Sequence, residues 1–261
     1  MKEILALLKS HRSIRKYKPE PIPDDLLENI LTSARQAPTS SNIQAYSIIV
    51  VKDKEKKSKL AHYCGDQPYV ASCPVFLAVC PDLYRLDQMC RMRNYQINDN
   101  YIETFLLAVV DSTLVAQNIL VASESSGLGV CMIGGIRNNP DDVCELLKLP
   151  DKVFPLMGIC LGWPDQEPMI KPRLPGPAVI HREEYNHSGF DRLIDEYDST
   201  IKATGLYDGP RRKVQSTDGR EVSDNDYSWS EHTSRRMALT DSKALRAHLR
   251  QFLMKREFPL E

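Results

Sequence analysis

The stretch "HRSIRKY" brings together His11, Arg12, Ser13 and Arg15, three groups able to carry positive charge beside one hydroxyl. That set suits an anion, a phosphate above all, because charge-assisted bonds to phosphate oxygens are short and strong. A solvated helix end accounts for the same residues, since His and Arg suit the negative pole of a helix dipole. Three further clusters offer related chemistry. "APTSSNIQ" supplies Thr39, Ser40, Ser41 and Asn42, a dense set of small donors and acceptors. Ile133 leads into Gly134 and Gly135, where backbone N–H groups approach a flat ligand without a Cβ in the way. "KPRLP" carries Lys171 and Arg173, which must converge on one ligand through their long stems, because alternate positions of an extended chain diverge. Gln67 in "GDQPYV" adds a lone amide. A polar loop, a strand-to-loop turn and a solvated linker are the structural alternatives for these clusters.

Other chemistries find no support. "GLGVCMIGG" has Met132 where a G-x-G-x-x-G fingerprint needs glycine, and it precedes a strand instead of following one. There is no phosphate loop of the G-x-x-x-x-G-K type and no G-x-S-x-G elbow. The 7 cysteines include no C-x₂₋₄-C pair, and the 6 histidines show no ligand spacing, so no metal is expected. Lys+Arg of 34 against Asp+Glu of 35 leaves no bulk charge for nucleic acid, and any anion site must be local. The apolar run 104–122 contains Asp111, Ser112, Gln117 and Asn118, which favours a buried helix or a subunit interface over a membrane span. "MKEILALLKSH" lacks a secretion signal's long apolar region, and a cytoplasmic location is expected.

The elements that must position these residues follow from pattern. Residues 2–10 read as a short amphipathic helix with Ile4, Leu5, Leu7 and Leu8 on one side. A second helix starts at Asp24 as N-cap and runs to about Ala37, where Pro38 blocks it. Strands are expected at 46–51, 74–80, 129–133 and 153–163. Helices are expected near 53–63, from 101 to 126 with Gly127 closing it, and from Pro140 onward behind Asn139. Helices around buried strands make a mixed α/β architecture. The tail differs: 164–177 is a proline-rich linker, a helix lies near 190–203, 208–228 reads as a mobile polar loop, and a final helix spans roughly 241–256.

"HRSIRKY", "SARQAPTSSNIQ", "GDQPYV", "VVDSTLVAQNILVASESSGLG", "IGGIRNNP", "GICLGWP" and "KPRLP" follow one another in this order. As a set they resemble the FMN-dependent nitroreductase family, and most of all its oxygen-insensitive NADPH nitroreductase and flavin reductase branch. The resemblance is strong over 1–182 and in outline beyond. It implies an α+β fold, a mixed sheet flanked by helices, in one domain over 1–261: a core of 1–182 and a C-terminal excursion of 183–261. It also implies an intertwined homodimer that binds FMN. His11, Arg12, Ser13, Arg15, Lys171 and Arg173 then hold one flavin, with Arg12, Lys171 and Arg173 at its phosphate. A cation at Arg15 favours the anionic reduced ring, the kind of tuning a protein supplies to a cofactor. Gly134 or Gly135 meets the ring's N5, with Ile133 just before. Thr39, Ser40, Ser41, Asn42 and Gln67 touch the ring or its ribityl chain.

The activity implied is ping-pong hydride transfer from NADPH or NADH to nitroaromatics, quinones or free flavin, with no residue as covalent catalyst. Asn42 stands where related enzymes can present an aromatic residue. Arg211 and Arg212, in a run with Lys213, are candidates for the NADPH 2′-phosphate, and Arg235 for the mouth of the site; a solvated charged loop explains the run as well. Two other classes remain open: a flavin-binding or flavin-modifying protein on the same scaffold, and a non-enzymatic interaction protein.

Overall fold

Strand β2 (Val75–Pro81) is buried along its whole length and sits inside a four-stranded sheet. The computed structural model describes residues 4–209 and 213–258. β2 lies between β1 (Tyr46–Val51) and β4 (Met157–Gly162), and β3 (Gly129–Ile133) completes the order β1-β2-β4-β3. Alternate side chains of β2 feed two separate cores. Phe76, Ala78 and Cys80 join one with Cys131, Ile133 and Cys160; Val75, Leu77 and Val79 join the other with Val130, Ile159 and Leu161. A strand buried on both faces reads as a continuous apolar run, which is how "PVFLAVC" shows in the sequence.

Helices cover both faces. Helix α1 (Ile4–Lys9) opens the chain; α2 (Asp24–Ala34) and α6 (Ile102–Ser125) pack together on the core of Leu77 and Ile159. On the other face lie α3 (Lys54–Tyr63), α4 (Pro68–Ser72) and α7 (Pro140–Leu147). Helix α5 (Tyr84–Met92) follows β2. Phe252 and Leu253 of the last helix, which is α10 in chain order (Leu249–Lys255), return to the same core as Phe76. Between them come α8 (Phe190–Lys202) and α9 (Trp229–Met237). The chain divides into two compact units: one runs to Met169 and resumes at Arg246, the other spans Ile170–Leu245.

The α+β architecture matches expectation, with local differences. All three ladders are antiparallel, and among the described residues parallel pairing is confined to the single bridge between Ser13 and Val130. The cause is the α3–α4 excursion, which returns the chain to the end of β1 that it left, so that Val51 pairs with Phe76. β4 begins at Met157, later than 153, although the approach to it already follows β2: Phe154 and Leu156 donate their N–H groups to Pro81 O and Val79 O at 3.1 and 3.2 Å. Asp24 is the first helical residue of α2 behind Pro23, and it pairs with Lys52 instead of capping. Of the apolar residues of α1 only Leu7 is buried; Ile4, Leu5 and Leu8 are exposed. The final helix is shorter than expected at its N-terminal side. Helix α6 is long and apolar enough to cross a membrane, yet Asp111, Val115, Ile119 and Ser123 are buried within the protein.

Candidate functional site

The basic segment reaches its place through the edge of the sheet. Ile14 donates its N–H to the Val130 carbonyl at 2.9 Å beside the Ser13–Val130 bridge. The approach is close because Gly129 has no side chain; a Cβ there would sit 2.7 Å from Ile14. Buried Ile14 anchors the segment, and its neighbours Ser13 and Arg15 are left half-buried and exposed. Tyr17 ties the segment down again by donating its hydroxyl to the Ile14 carbonyl at 2.6 Å. Burial pushes the Tyr17 phenol well above its ordinary range, so it stays a donor.

β3 ends at Ile133, and Gly134–Arg137 form a 3-10 turn. Gly135 is tightly enclosed: a Cβ would lie 2.2 Å from the Cys64 carbonyl oxygen and 2.6 Å from Gln67 Nε2. Gln67 donates to Cys64 O at 2.7 Å and accepts from the Tyr69 hydroxyl. The Arg15 guanidinium stands 5.9 Å from the centre of the Tyr69 ring. Arg15, Tyr69, Gln67 and Gly135 thus form one connected group, made from three separate stretches of chain. Burial raises the Tyr69 phenol, the nearby Cys131 thiol adds to the shift, and Arg15 opposes it. Burial also pushes the Cys64 thiol up to about 12, which keeps it protonated and unreactive at neutral pH.

The other two basic residues of the segment face carboxylates. His11 Nδ1 lies 2.6 Å from Glu124 Oε1 at the end of α6. Arg12 donates to Glu167 Oε1 at 2.9 Å and to Pro168 O at 3.2 Å. Arg12, Glu124 and Glu167 border a cleft of about 500 Å³, lined also by Ser10, Ile14 and Gly129.

The loop 39–45 is held differently. Ser40 N and Ala45 N each donate at 3.0 Å to one carboxylate oxygen of Asp111, which is fully buried in α6. Between those anchors Ser41, Asn42 and Gln44 have φ of 47°, 58° and 56°. Thr39 is half-buried, while Ser40, Ser41 and Asn42 are exposed.

Lys171 and Arg173 belong to the second unit, where both are exposed. Arg173 donates to the Lys171 carbonyl at 2.9 Å, and the segment is pinned at Pro172 by the Tyr197 hydroxyl at 3.0 Å. Arg235, expected at the mouth of the site, is engaged within the second unit. It donates to Glu231 at 2.7 Å and to the carbonyls of Val214 and Arg220, both at 3.1 Å. Its guanidinium leaves only 12% of the side chain exposed because a polar loop closes over it. Arg211 and Arg212 lie outside the described residues.

Four residues of this arrangement escape a reading of clusters alone: Tyr69, Asp111, Glu124 and Glu167. Asp111 had the clearest signal, a carboxylate in the middle of an apolar run. Among the described residues no group of three or more His, Cys, Asp and Glu side chains is placed to hold a metal ion.

Two family models match this chain. The Nitroreductase family model covers residues 8–163, and that of the Nitroreductase family, C-terminal domain, covers 171–261. The FMN reductase (NADPH) of Bacillus subtilis (strain 168) is 41% identical over 205 residues, 77% of this chain and 82% of the relative. The oxygen-insensitive NADPH nitroreductase of Salmonella typhimurium (strain LT2) is 38% identical over 235 residues, 90% of this chain and 91% of the relative. Among solved structures, NfrA2 of B. megaterium superposes with a TM-score of 0.87 at 35% identity and full coverage of both chains.

Proposed function

The chain belongs to the nitroreductase family, and from that premise we propose that it is an FMN-dependent NAD(P)H oxidoreductase reducing nitroaromatics, quinones or free flavin. The observation that carries the site assignment is the meeting of the 11–15 segment with the glycine turn after β3 and the Gln67–Tyr69 pair. The donor set fits FMN. Cations and a hydroxyl suit a phosphate, and an amide and glycine amides suit a polar ring edge.

When bound, FMN supplies the two-electron hydride chemistry that links NAD(P)H to the acceptor. The protein's residues bind, orient and polarise. Arg12, Lys171 and Arg173 hold the phosphate, with His11 and Ser13 beside them. Arg15 adds a fixed cation to the ring's pyrimidine edge, and its place over Tyr69 supports that orientation. Thr39, Ser40, Ser41, Asn42 and Gln67 contact the ring and ribityl chain, and the turn of Ile133, Gly134 and Gly135 lies along the ring. Arg211 and Arg212 take the NADPH 2′-phosphate, and Arg235 lies at the mouth of the site. An exposed Asn42 and a polar rim impose little discrimination, in keeping with flat acceptors of several kinds.

We also place the protein in the cytoplasm, as one nitroreductase-like domain with a 1–182 core, and as a homodimer. Helix α6 leaves Ile102, Leu106, Val110 and Leu114 exposed at intervals of four, a stripe on one face that a second copy would cover. Exposed Ile4, Leu5 and Leu8 of α1 extend the apolar surface available for it.

The test is a visible spectrum of the purified protein, anaerobic titration with NADPH, and FMN affinity of Arg12→Ala and Lys171→Ala. Flavin bands that bleach with about one NADPH per subunit are expected, with FMN binding at least about tenfold weaker in either variant. A protein that takes up no FMN overturns the reading. Unchanged FMN affinity in both variants overturns the phosphate assignment.

A further inference from the structure

Asp111 is a carboxylate with no exposed surface, and among the described residues it makes no ion pair. A buried charge is costly unless its oxygens are satisfied. Here both are satisfied by backbone amides of one loop, Ser40 N–H to one oxygen and Ala45 N–H to the other. These two bonds bracket Ser41, Asn42 and Gln44, all in the left-handed region that L residues avoid.

Little else holds the loop in that shape. Ser40, Ser41, Asn42, Ile43 and Gln44 are all exposed, so burial of their side chains supplies almost nothing. The remaining bonds are local or sit at the exit. Ile43 N–H reaches Ser40 O at 2.8 Å and Asn42 N–H reaches Thr39 O at 3.4 Å. The exposed Gln44 amide donates to Asn42 O at 3.3 Å and to Asn42 Oδ1 at 3.2 Å. At the exit, Tyr46 N–H reaches Gln44 O at 2.8 Å, Asp82 N–H reaches Ala45 O at 3.0 Å, and Arg85 donates to the Gln44 and Tyr46 carbonyls at 2.8 and 2.6 Å. Among the described residues, Asp111 is the one side chain that bonds both ends of the loop.

We infer that Asp111 is a positioning residue: from the core of α6 it holds Ser40, Ser41 and Asn42 in the left-handed geometry in which they receive the flavin. The loop is therefore formed before FMN arrives, and the ordering cost is met by folding instead of binding. This inference rests on the reading that residues 40–42 contact FMN. It adds a residue that touches no ligand. One helix then carries both the loop's anchor and, one residue away at Val110, the apolar stripe assigned above to the second copy.

The experiment combines hydrogen exchange of the flavin-stripped and FMN-loaded protein with FMN affinity of variants. In the stripped parent the Ser40 and Ala45 amides should already be protected, close to their level in the loaded protein. Asp111→Asn turns a donor toward one of the two amides, so only one anchor survives. Loop exchange should accelerate while strand residues 48–51 keep their protection, and FMN should bind about tenfold more weakly.

Three results would overturn the inference. The first is free exchange of the loop amides in the stripped parent, with protection appearing only with FMN. The second is equal acceleration of exchange in the loop and the strands of Asp111→Asn, a plain loss of stability. The third is a freed loop in Asp111→Asn with FMN affinity intact while Arg12→Ala still weakens it, which discards the loop contacts and spares the phosphate clamp. If Asp111→Asn does not fold, the stripped-parent exchange decides alone.

Discussion

Two polar loops, one without charges and one rich in them, are held in opposite ways. Loop 39–45 has exposed side chains and left-handed backbone, and both its ends hang from one buried carboxylate. The stretch 213–228 is held by many scattered contacts. Lys213 pairs with Asp224, Ser223 with Asp226, and Val214 N–H reaches the Tyr227 hydroxyl at 2.7 Å. Arg235 adds its bonds to Val214 and Arg220, and Tyr227 is buried with its ring 5.4 Å from that guanidinium. A single buried anchor fixes geometry sharply and fails all at once. Distributed surface contacts fail singly, because each exposed pair contributes little.

That contrast predicts a large, global effect where the first unit's site is built into the core. Gly135→Ala forces a Cβ against the Cys64 carbonyl and the Gln67 amide, with no flexible end to move out of the way of the backbone oxygen. It should cost about 1–3 kcal/mol of stability and disturb FMN binding together with it. Thermal unfolding with and without FMN measures both. An unchanged melting temperature would mean that the turn after β3 gives way easily, and the comparison would lose its rigid side.

Arg235→Ala should be a smaller and local lesion. It removes charged donors from two carbonyls and from Glu231, worth about 2 kcal/mol in total, and it bares the Tyr227 ring. Limited proteolysis should then cut within 213–228 much faster, while the exchange of the sheet amides stays as in the parent. Faster exchange in the sheet would show that this loop, too, is part of the global cooperative unit, and would erase the distinction between the two.

How far the sequence disclosed these arrangements depended on where the signal lay. β1 and β3 were legible to the residue, because β-branched and apolar runs bounded by turn residues encode buried strands. Helices α5 and α9 were not, since "YRLDQMCRM" and "WSEHTSRRM" carry few aliphatic side chains and α9 buries no residue fully. The basic and glycine clusters of the site were visible as composition. Their partners were not: Tyr69 meets Arg15 across 54 positions of chain and Glu124 meets His11 across 113, distances that only the sheet brings together. The 208–228 stretch reads as mobile because it has only two aliphatic residues; the contacts that 213–228 makes come from Tyr227, Arg235 and paired charges, a pattern that hydrophobic periodicity does not register.

The finest distinction concerns Arg12, which stands between the two modes. Its backbone neighbours are locked to β3, yet its guanidinium is held by Glu167, a side chain that is 85% exposed. An exposed pair of this kind is worth about 0–1 kcal/mol, so Glu167 steadies Arg12 without owning it. An arriving phosphate must displace that carboxylate or share the guanidinium with it. Glu167→Gln keeps the side chain's size and one acceptor while removing the charge. It should therefore tighten FMN by no more than about fivefold, and the gain should shrink as salt rises and screens the pair. Asp165→Asn, in the same cleft without a bond to Arg12, should give less. Equal gains from both variants would reduce the effect to the general field of the cleft. A loss of affinity in Glu167→Gln would mean that Glu167 holds Arg12 in its binding posture, and would move this pair to the side of the buried anchor.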